Sequence, residues 1–222
     1  TAQGDKRHWI LDDNMKGIYR WYRGKRIGCD SGMAFHITEQ FVDRYTNVAI
    51  GGLNYSMFGA TPRTIKHKVP SFRLNCHVYS CMLILNELPN VWRGRYNEDT
   101  DLCLQVLADG WCTIQMQLFL VSKMQTMKMK GGNTSQYDGD GRLYMSRSLE
   151  RRWPGVVKTI RRFNRPQHFV YWGKFDNKLI RRTDIDFDNL PEIDEYGLNL
   201  IQVKPEIRSQ RIQEYMDVYK AN

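Results

Sequence analysis

The sequence predicts an α/β domain, a mixed sheet with helices packed against it, and three observations carry that reading. Apolar runs of strand length, such as Trp9–Leu11, Val48–Ile50 and Met82–Leu85, alternate with stretches of helical periodicity such as Thr38–Tyr45 and Glu98–Asp109. The chain has 222 residues, 41% hydrophobic and 12% aromatic, enough for one substantial core. The first apolar run ends in carboxylates, as at the carboxyl edge of an open α/β sheet, where ligands bind.

In chain order, Trp9–Leu11 is a strand ending at Asp12-Asp13-Asn14. Ile18–Arg26 is a basic, aromatic, extended segment that turns at Gly24-Lys25. Thr38–Tyr45 is a helix capped by Thr38, with Phe41 and Val42 inward. Val48–Ile50 is a short strand running into Gly51-Gly52. Ala60–Pro70, polar and carrying Pro62 and Pro70, is a loop. Phe72–Tyr79 alternates as a strand, and Met82–Leu85 is a buried run ended by Pro89. The next helix reads from about Glu98 to Asp109. Asn97 is suited to cap it, Leu102, Val106 and Leu107 form its apolar face, and Gly110 ends it in a left-handed conformation.

Trp111–Val121 is a strand. Lys130–Gly141 is a long glycine-bearing loop of the kind that carries function. Arg142–Arg152 is helical, with Leu143, Ser146 and Leu149 on one side, and Trp153-Pro154-Gly155 stops it. Val156–Ile160 and Phe169–Trp172 are strands. Asp184–Glu195 is an acidic surface connection, and Pro205–Tyr219 is a helix. The expected organisation is a single domain over 1–222 with a helical extension at about 204–222.

The balance of 33 Lys and Arg against 24 Asp and Glu gives a net charge of +9. Much of it clusters around Arg20–Arg26, Arg147–Arg165 and Arg181-Arg182, with Trp21, Tyr22, Trp153, Phe163 and Trp172 interleaved. Basic side chains neutralise phosphates and aromatic rings stack on bases, so this pattern points to nucleic acid. The five cysteines are odd in number and form no CxxC pair, which argues against a zinc site or a disulfide framework. Free thiols in a reducing cytoplasm are the simpler reading. No apolar run approaches the roughly 20 residues that span a bilayer.

Two acidic constellations carry the chemistry. Adjacent carboxylates at Asp12 and Asp13 repel each other unless something positive sits beside them. A hard cation with oxygen ligands, Mg²⁺ or Mn²⁺, is the usual solution, with Asn14 as a further oxygen donor. Glu98 and Asp99 open a helix, where its dipole favours anions, and either can serve as a general base. Gly131-Gly132-Asn133-Thr134 lets backbone N–H groups approach a phosphate or sugar. His168 is the histidine best placed for a functional role, whereas His77 reads as a packed strand residue.

Taken together, Trp9-Ile-Leu-Asp-Asp-Asn14, Asn75-Cys-His-Val-Tyr-Ser80, Trp92-Arg-Gly-Arg-Tyr-Asn-Glu-Asp-Thr-Asp101, Lys130-Gly-Gly-Asn-Thr134, Gly141-Arg-Leu-Tyr144, Trp153-Pro-Gly-Val156 and Arg165-Pro-Gln-His168 resemble the TET-associated glycosyltransferases of phage genomes. The likeness runs from about Trp9 to Trp172. It implies a GT-A-like fold and transfer of a sugar, with inversion, from a nucleotide-sugar (a UDP-sugar) to hydroxymethylated cytosine in DNA. The implied metal ligands are Asp12, Asp13 and Asn14, holding Mn²⁺ or Mg²⁺. Asp99 is the implied base, with Glu98 beside it. Gly131, Gly132, Asn133 and His168 are assigned to the donor. Arg93, Arg95, Arg151, Arg152, Arg161 and Arg162 are assigned to the DNA acceptor. The implied compartment is the cytoplasm, that of the host cell for a phage protein.

One departure stands out. GT-A domains begin with one or two strand–helix units that cradle the nucleotide, yet here the metal motif falls at residue 12. Part of that nucleotide-binding half is therefore missing, lies upstream, or is reordered. Two other readings share the acids and the basic surface: a metal-dependent nuclease and a noncatalytic DNA-binding module. The acid-x-Lys spacing common in such nucleases occurs only at Asp176-Asn177-Lys178, far along the chain from both acidic clusters.

Overall fold

A computed structural model describes residues 6–22, 25–58, 71–124 and 139–190. Within them lie a seven-stranded mixed sheet, a separate hairpin and three α-helices. The sheet comprises β1 (Arg7–Leu11), β2 (Met15–Tyr22), β3 (Lys25–Gly28), β4 (Val48–Tyr55), β5 (Phe72–Leu74), β6 (Cys81–Leu85) and β7 (Cys112–Lys123). Its order is β1-β6-β4-β7-β2-β3, with β5 added against β7. β4 and β7 run parallel, and the remaining pairs are antiparallel. The helices are α1 (Met33–Val42), α2 (Glu98–Ala108) and α3 (Gly141–Arg152), and the hairpin is β8 (Val157–Arg162) with β9 (Arg165–Val170). This is the α/β class that the alternating pattern predicts.

The strand expected over Phe169–Trp172 is β9 at Arg165–Val170, with Trp172 opening a short 3-10 turn, and three further elements depart from their sequence reading. α1 begins five residues before Thr38, because Ala34, Ile37 and Phe41 already form a buried stripe at helical spacing. Thr38 is therefore not a cap. It is fully buried, and its hydroxyl donates to the Ala34 carbonyl at 2.7 Å. β4 does not stop at the glycine pair but continues to Tyr55. Gly52 is needed there, since a Cβ would stand 2.3 Å from the Cys81 carbonyl oxygen. The strand expected over Phe72–Tyr79 ends at Leu74, and Asn75 and Ser80 adopt left-handed backbone conformations at φ 51° and 63°.

The irregular stretch between them still satisfies its backbone. Asn75 N–H donates to the Thr113 carbonyl, Cys76 N–H to the Thr113 hydroxyl and Val78 N–H to the Cys103 sulfur, while Gln115 donates to the His77 carbonyl.

Three apolar clusters set the layers. α1 packs Ala34, Ile37, Phe41 and Val42 onto Leu53, Leu83, Ile114 and Phe119 of the sheet. α2 packs Leu102, Cys103 and Val106 onto Ala49, Ile50, Val78, Met82 and Ile84. On its other side Leu104 meets Leu149 of α3 and Val157 and Val170 of the hairpin. α2 is thus held between the sheet and the α3–hairpin unit, which explains why Thr100 to Leu107 are all buried. Burial at this scale contributes on the order of 1.5–3 kcal/mol per large side chain. The five cysteines are free, and burial pushes the Cys76 and Cys81 thiols up to about 12. These two thiols are protonated at neutral pH.

Ala60–Pro70, expected to be a loop, residues 125–138 with Gly131, Gly132 and Asn133, and the helical extension expected at about 204–222 lie outside the described residues. Among the described residues, no helix is long and apolar enough to cross a membrane.

Candidate active site

The first turn of α2 emerges where the sheet, α2 and the hairpin meet. Asn97 occupies the position before the helix with φ 54°, a left-handed conformation that asparagine tolerates. Its side chain does not cap. Instead its amide donates to the Met145 carbonyl of α3 at 3.0 Å, tying the two helices. Asp99 takes over part of the capping, its Oδ1 accepting from Thr100 N–H at 2.6 Å.

The second carboxylate oxygen of Asp99 lies 3.2 Å from His77 Nε2, and the same nitrogen lies 3.1 Å from the Thr100 hydroxyl. Asp99 remains a third exposed, so solute reaches it. Burial works to raise its pKa, but the His77 charge and hydrogen bond, with the two bonds from Thr100, outweigh that and hold it below the ordinary value. The His77 ring is flanked by Tyr79, centroids 4.5 Å apart, and by Trp172, near-parallel at 6.0 Å. Tyr79 is pushed up, by burial first and then by Asp99. His168 lies on β9, opposite Thr159. Burial and then His77 hold it below its ordinary 6.5, with Asp99 opposing, so it is neutral at pH 7.

The sequence reads His77 as a packed residue, yet it is the ion-pair partner of the candidate base. The alternation around it is that of a strand, but the strand ends at Leu74 and leaves His77 in an irregular segment.

The upstream acids lie at the end of β1. Asp12 and Asp13 are exposed. Asp12 N–H donates to the Ser80 carbonyl, and its carboxylate pairs with Lys123 Nζ at 3.0 Å. Lys123 also donates to Ser80 Oγ at 3.0 Å and lies 4.7 Å over the Tyr55 ring. An ammonium thus supplies positive charge beside Asp12. The Asn14 Oδ1 is buried with no hydrogen-bond partner. Among the described residues, no three His, Cys, Asp or Glu side chains converge on one point.

The segment from His77 to Ser80 connects the two acidic sites. His77 touches Asp99, and Ser80, three residues on, touches Asp12 and Lys123. Three residues span at most about 10 Å of chain.

Of the arginines assigned to the acceptor, Arg93 donates to buried Asp101 at 2.7 Å, and Arg152 lies 3.8 Å from the same carboxylate. Trp153 Nε1 and Gln105 complete that cluster at 2.6 and 2.9 Å. Arg95 stacks on Tyr96, and Arg151, Arg161 and Arg162 are exposed. Glu98 is exposed beside Asp99. Arg182, from the third basic cluster, pairs with Asp184.

The family model of the TET-associated glycosyltransferases matches residues 1–132, more than half of the chain. The protein belongs to this family. It is accordingly a glycosyltransferase, as the resemblance implies, and a glycosyltransferase of this kind binds a nucleotide-sugar. The matched region contains both acidic sites and His77, whereas His168 and the hairpin lie beyond it. No curated protein and no solved structure matches the chain.

His77 gives this TET-associated glycosyltransferase a testable pH dependence. In His77→Ala, burial has only the Thr100 bonds left to oppose it, so the Asp99 pKa rises. The acid limb of the kcat/KM profile is expected to move to higher pH, while the parent keeps an ionised Asp99 throughout the neutral range. A limb at the same pH in both proteins would remove His77 from this role.

Proposed function

We infer that the enzyme transfers a sugar, with inversion, from a nucleotide-sugar to the hydroxymethyl oxygen of hydroxymethylated cytosine in DNA. The observation that carries this reading is the placement of Asp99. An ionised, solute-accessible carboxylate sits beside His77 and is joined through one short segment to Asp12 at the end of β1.

In the reaction, the acceptor oxygen bonds to the anomeric carbon as the bond from that carbon to the diphosphate breaks. Asp99 takes the proton released from the hydroxyl. His77 and Thr100 hold the carboxylate in a single orientation, so the proton acceptor is pre-positioned. Glu98, exposed one residue before, is available to a neighbouring substrate hydroxyl. Neutral His168 can donate or accept one hydrogen bond toward the donor sugar.

The residues at the end of β1 fit a hard cation in their chemistry. Asp12 and Asp13 are exposed oxygen donors, and Asn14 has a buried oxygen without a partner. Mn²⁺ or Mg²⁺ bound there would neutralise the leaving diphosphate. Lys123, paired with Asp12, adds positive charge on the same side. Gly131, Gly132 and Asn133 complete the donor set in this reading, and the exposed Arg95, Arg151, Arg161 and Arg162 face the DNA phosphates.

The test is incubation of hydroxymethylated DNA with a mixture of nucleotide-sugars and Mn²⁺ or Mg²⁺, followed by mass spectrometry of the nucleosides. A hexose increment on hydroxymethylcytosine, lost in chelator, is expected. Sugar transfer to some other acceptor would overturn the DNA assignment. Nicked DNA without a mass change would favour a nuclease.

A further inference from the structure

We propose that the β8–β9 hairpin is a DNA-contacting ribbon whose tip residue, Phe163, stacks on or wedges into the bases beside the target nucleotide. The proposal rests on the DNA-acceptor reading above and names the element that would engage the duplex there. Its first support is charge. From Arg151 to Phe175 the sequence holds no Asp or Glu, and the hairpin itself carries Lys158, Arg161, Arg162 and Arg165.

The second support is the register. Pairing places Lys158 opposite Phe169, Ile160 opposite Gln167, and Arg162 opposite Arg165 on one face. The other face carries Val157 and Val170, both buried, with Thr159 bonded to Ser146 of α3. The hairpin is therefore anchored by one face and presents Lys158, Arg162, Arg165 and Phe169, all exposed, on the other. A two-stranded ribbon of this kind fits a DNA groove.

The third support is the turn. Phe163 and Asn164 both have positive φ, 52° and 58°. Two-residue hairpin turns with this backbone favour Asn and Gly, and a bulky aromatic in the left-handed region is a genuine outlier. Phe163 is also 74% exposed, so core packing does not account for it. Arg162 lies 5.0 Å from the centre of its ring. A strained, exposed aromatic flanked by arginines matches what a stacking wedge requires: an apolar plane to replace a lost base neighbour and cations to hold the phosphates on either side. His168, opposite Thr159, lies three residue pairs from the Arg162–Arg165 end, roughly 10 Å along the strands. The other end of β9 leads to Trp172, which lies near-parallel to His77 at 6.0 Å, so the ribbon runs from the Asp99 site to a tip roughly 10 Å beyond His168.

The experiment uses the 222-residue chain with a duplex carrying one hydroxymethylated cytosine beside a fluorescent 2-aminopurine. Phe163→Asn and Phe163→Trp are compared with the parent. Asparagine suits the left-handed turn, so Phe163→Asn is expected to raise the melting temperature, which separates folding from function. The same variant should lose at least about fivefold in affinity and abolish the unstacking signal, because base–aromatic stacking is removed. Phe163→Trp should retain both. Parent-like affinity and unstacking in Phe163→Asn would overturn the wedge while leaving the DNA-acceptor reading intact. A parent that transfers sugar but binds no DNA would overturn both.

Discussion

Replacing Asp99 with asparagine is expected to lower turnover by about 10²–10⁴-fold, the usual contribution of a general base. The substitution keeps the size of the side chain. An amide oxygen still accepts from Thr100 N–H, which the carboxylate does at 2.6 Å, so the first turn of α2 remains capped. What disappears is the proton acceptor. Single-turnover rates with saturating donor, read beside thermal melts of both proteins, isolate the chemical step. A rate within a few-fold of the parent, with an unchanged melt, would move the base elsewhere, with Glu98 the nearest alternative. A large loss in rate with an unchanged melt is the expected pair of results.

Asp101→Ala is expected to be the most destabilising single change in the same turn. The carboxylate is completely buried and receives Arg93, Gln105 and Trp153, with Arg152 at 3.8 Å. Breaking a buried pair by removing one partner costs about 3–5 kcal/mol. The arginines here are partly exposed, at 43% and 26% of their side chains, and rehydrate on losing the anion. The Trp153 and Gln105 N–H groups are left without their acceptor, so the lower end, about 3 kcal/mol, is the expected loss. That is a large fraction of the 5–15 kcal/mol typical of a domain.

Urea denaturation measures it directly. Asp109→Ala, which removes an exposed carboxylate accepting from Asn90, is the control and should change little. A near-zero effect at Asp101 would mean that the cluster is hydrated in solution. The cluster also bears on the use of charge. Arg93 and Arg152 are committed to this anion, and the Arg152 guanidinium passes so close to Gly94 that a Cβ there would stand 2.6 Å from it. Of the arginines assigned to DNA, these two therefore have an intramolecular carboxylate to give up.

What could be read from the chain without coordinates follows a physical divide. Local patterns were sufficient for the class and for most elements. Apolar runs of strand length marked β1, β6 and β7, and a periodic stripe ended by Gly110 marked α2 to within a residue. Both acidic sites were visible, because adjacent carboxylates need a compensating charge wherever they fold. The basic and aromatic clustering over Arg147–Arg165 was visible as composition, but that part of it forms an exposed hairpin was not.

The partners of those groups were decided only by tertiary structure. His77 lies 22 positions before Asp99, and Lys123 lies 111 after Asp12. No local spacing links either pair; packing of α2 against the sheet and pairing of β7 within it bring each together. The segment that joins them, Asn75 to Ser80, alternates like a strand, yet it leaves the sheet because its backbone groups find Thr113, Cys103 and Gln115 as partners. The fate of the arginines also depended on the fold. An arginine near an acidic residue in sequence is indistinguishable from one free to meet phosphate until burial shows which carboxylate, here Asp101, must be neutralised from within.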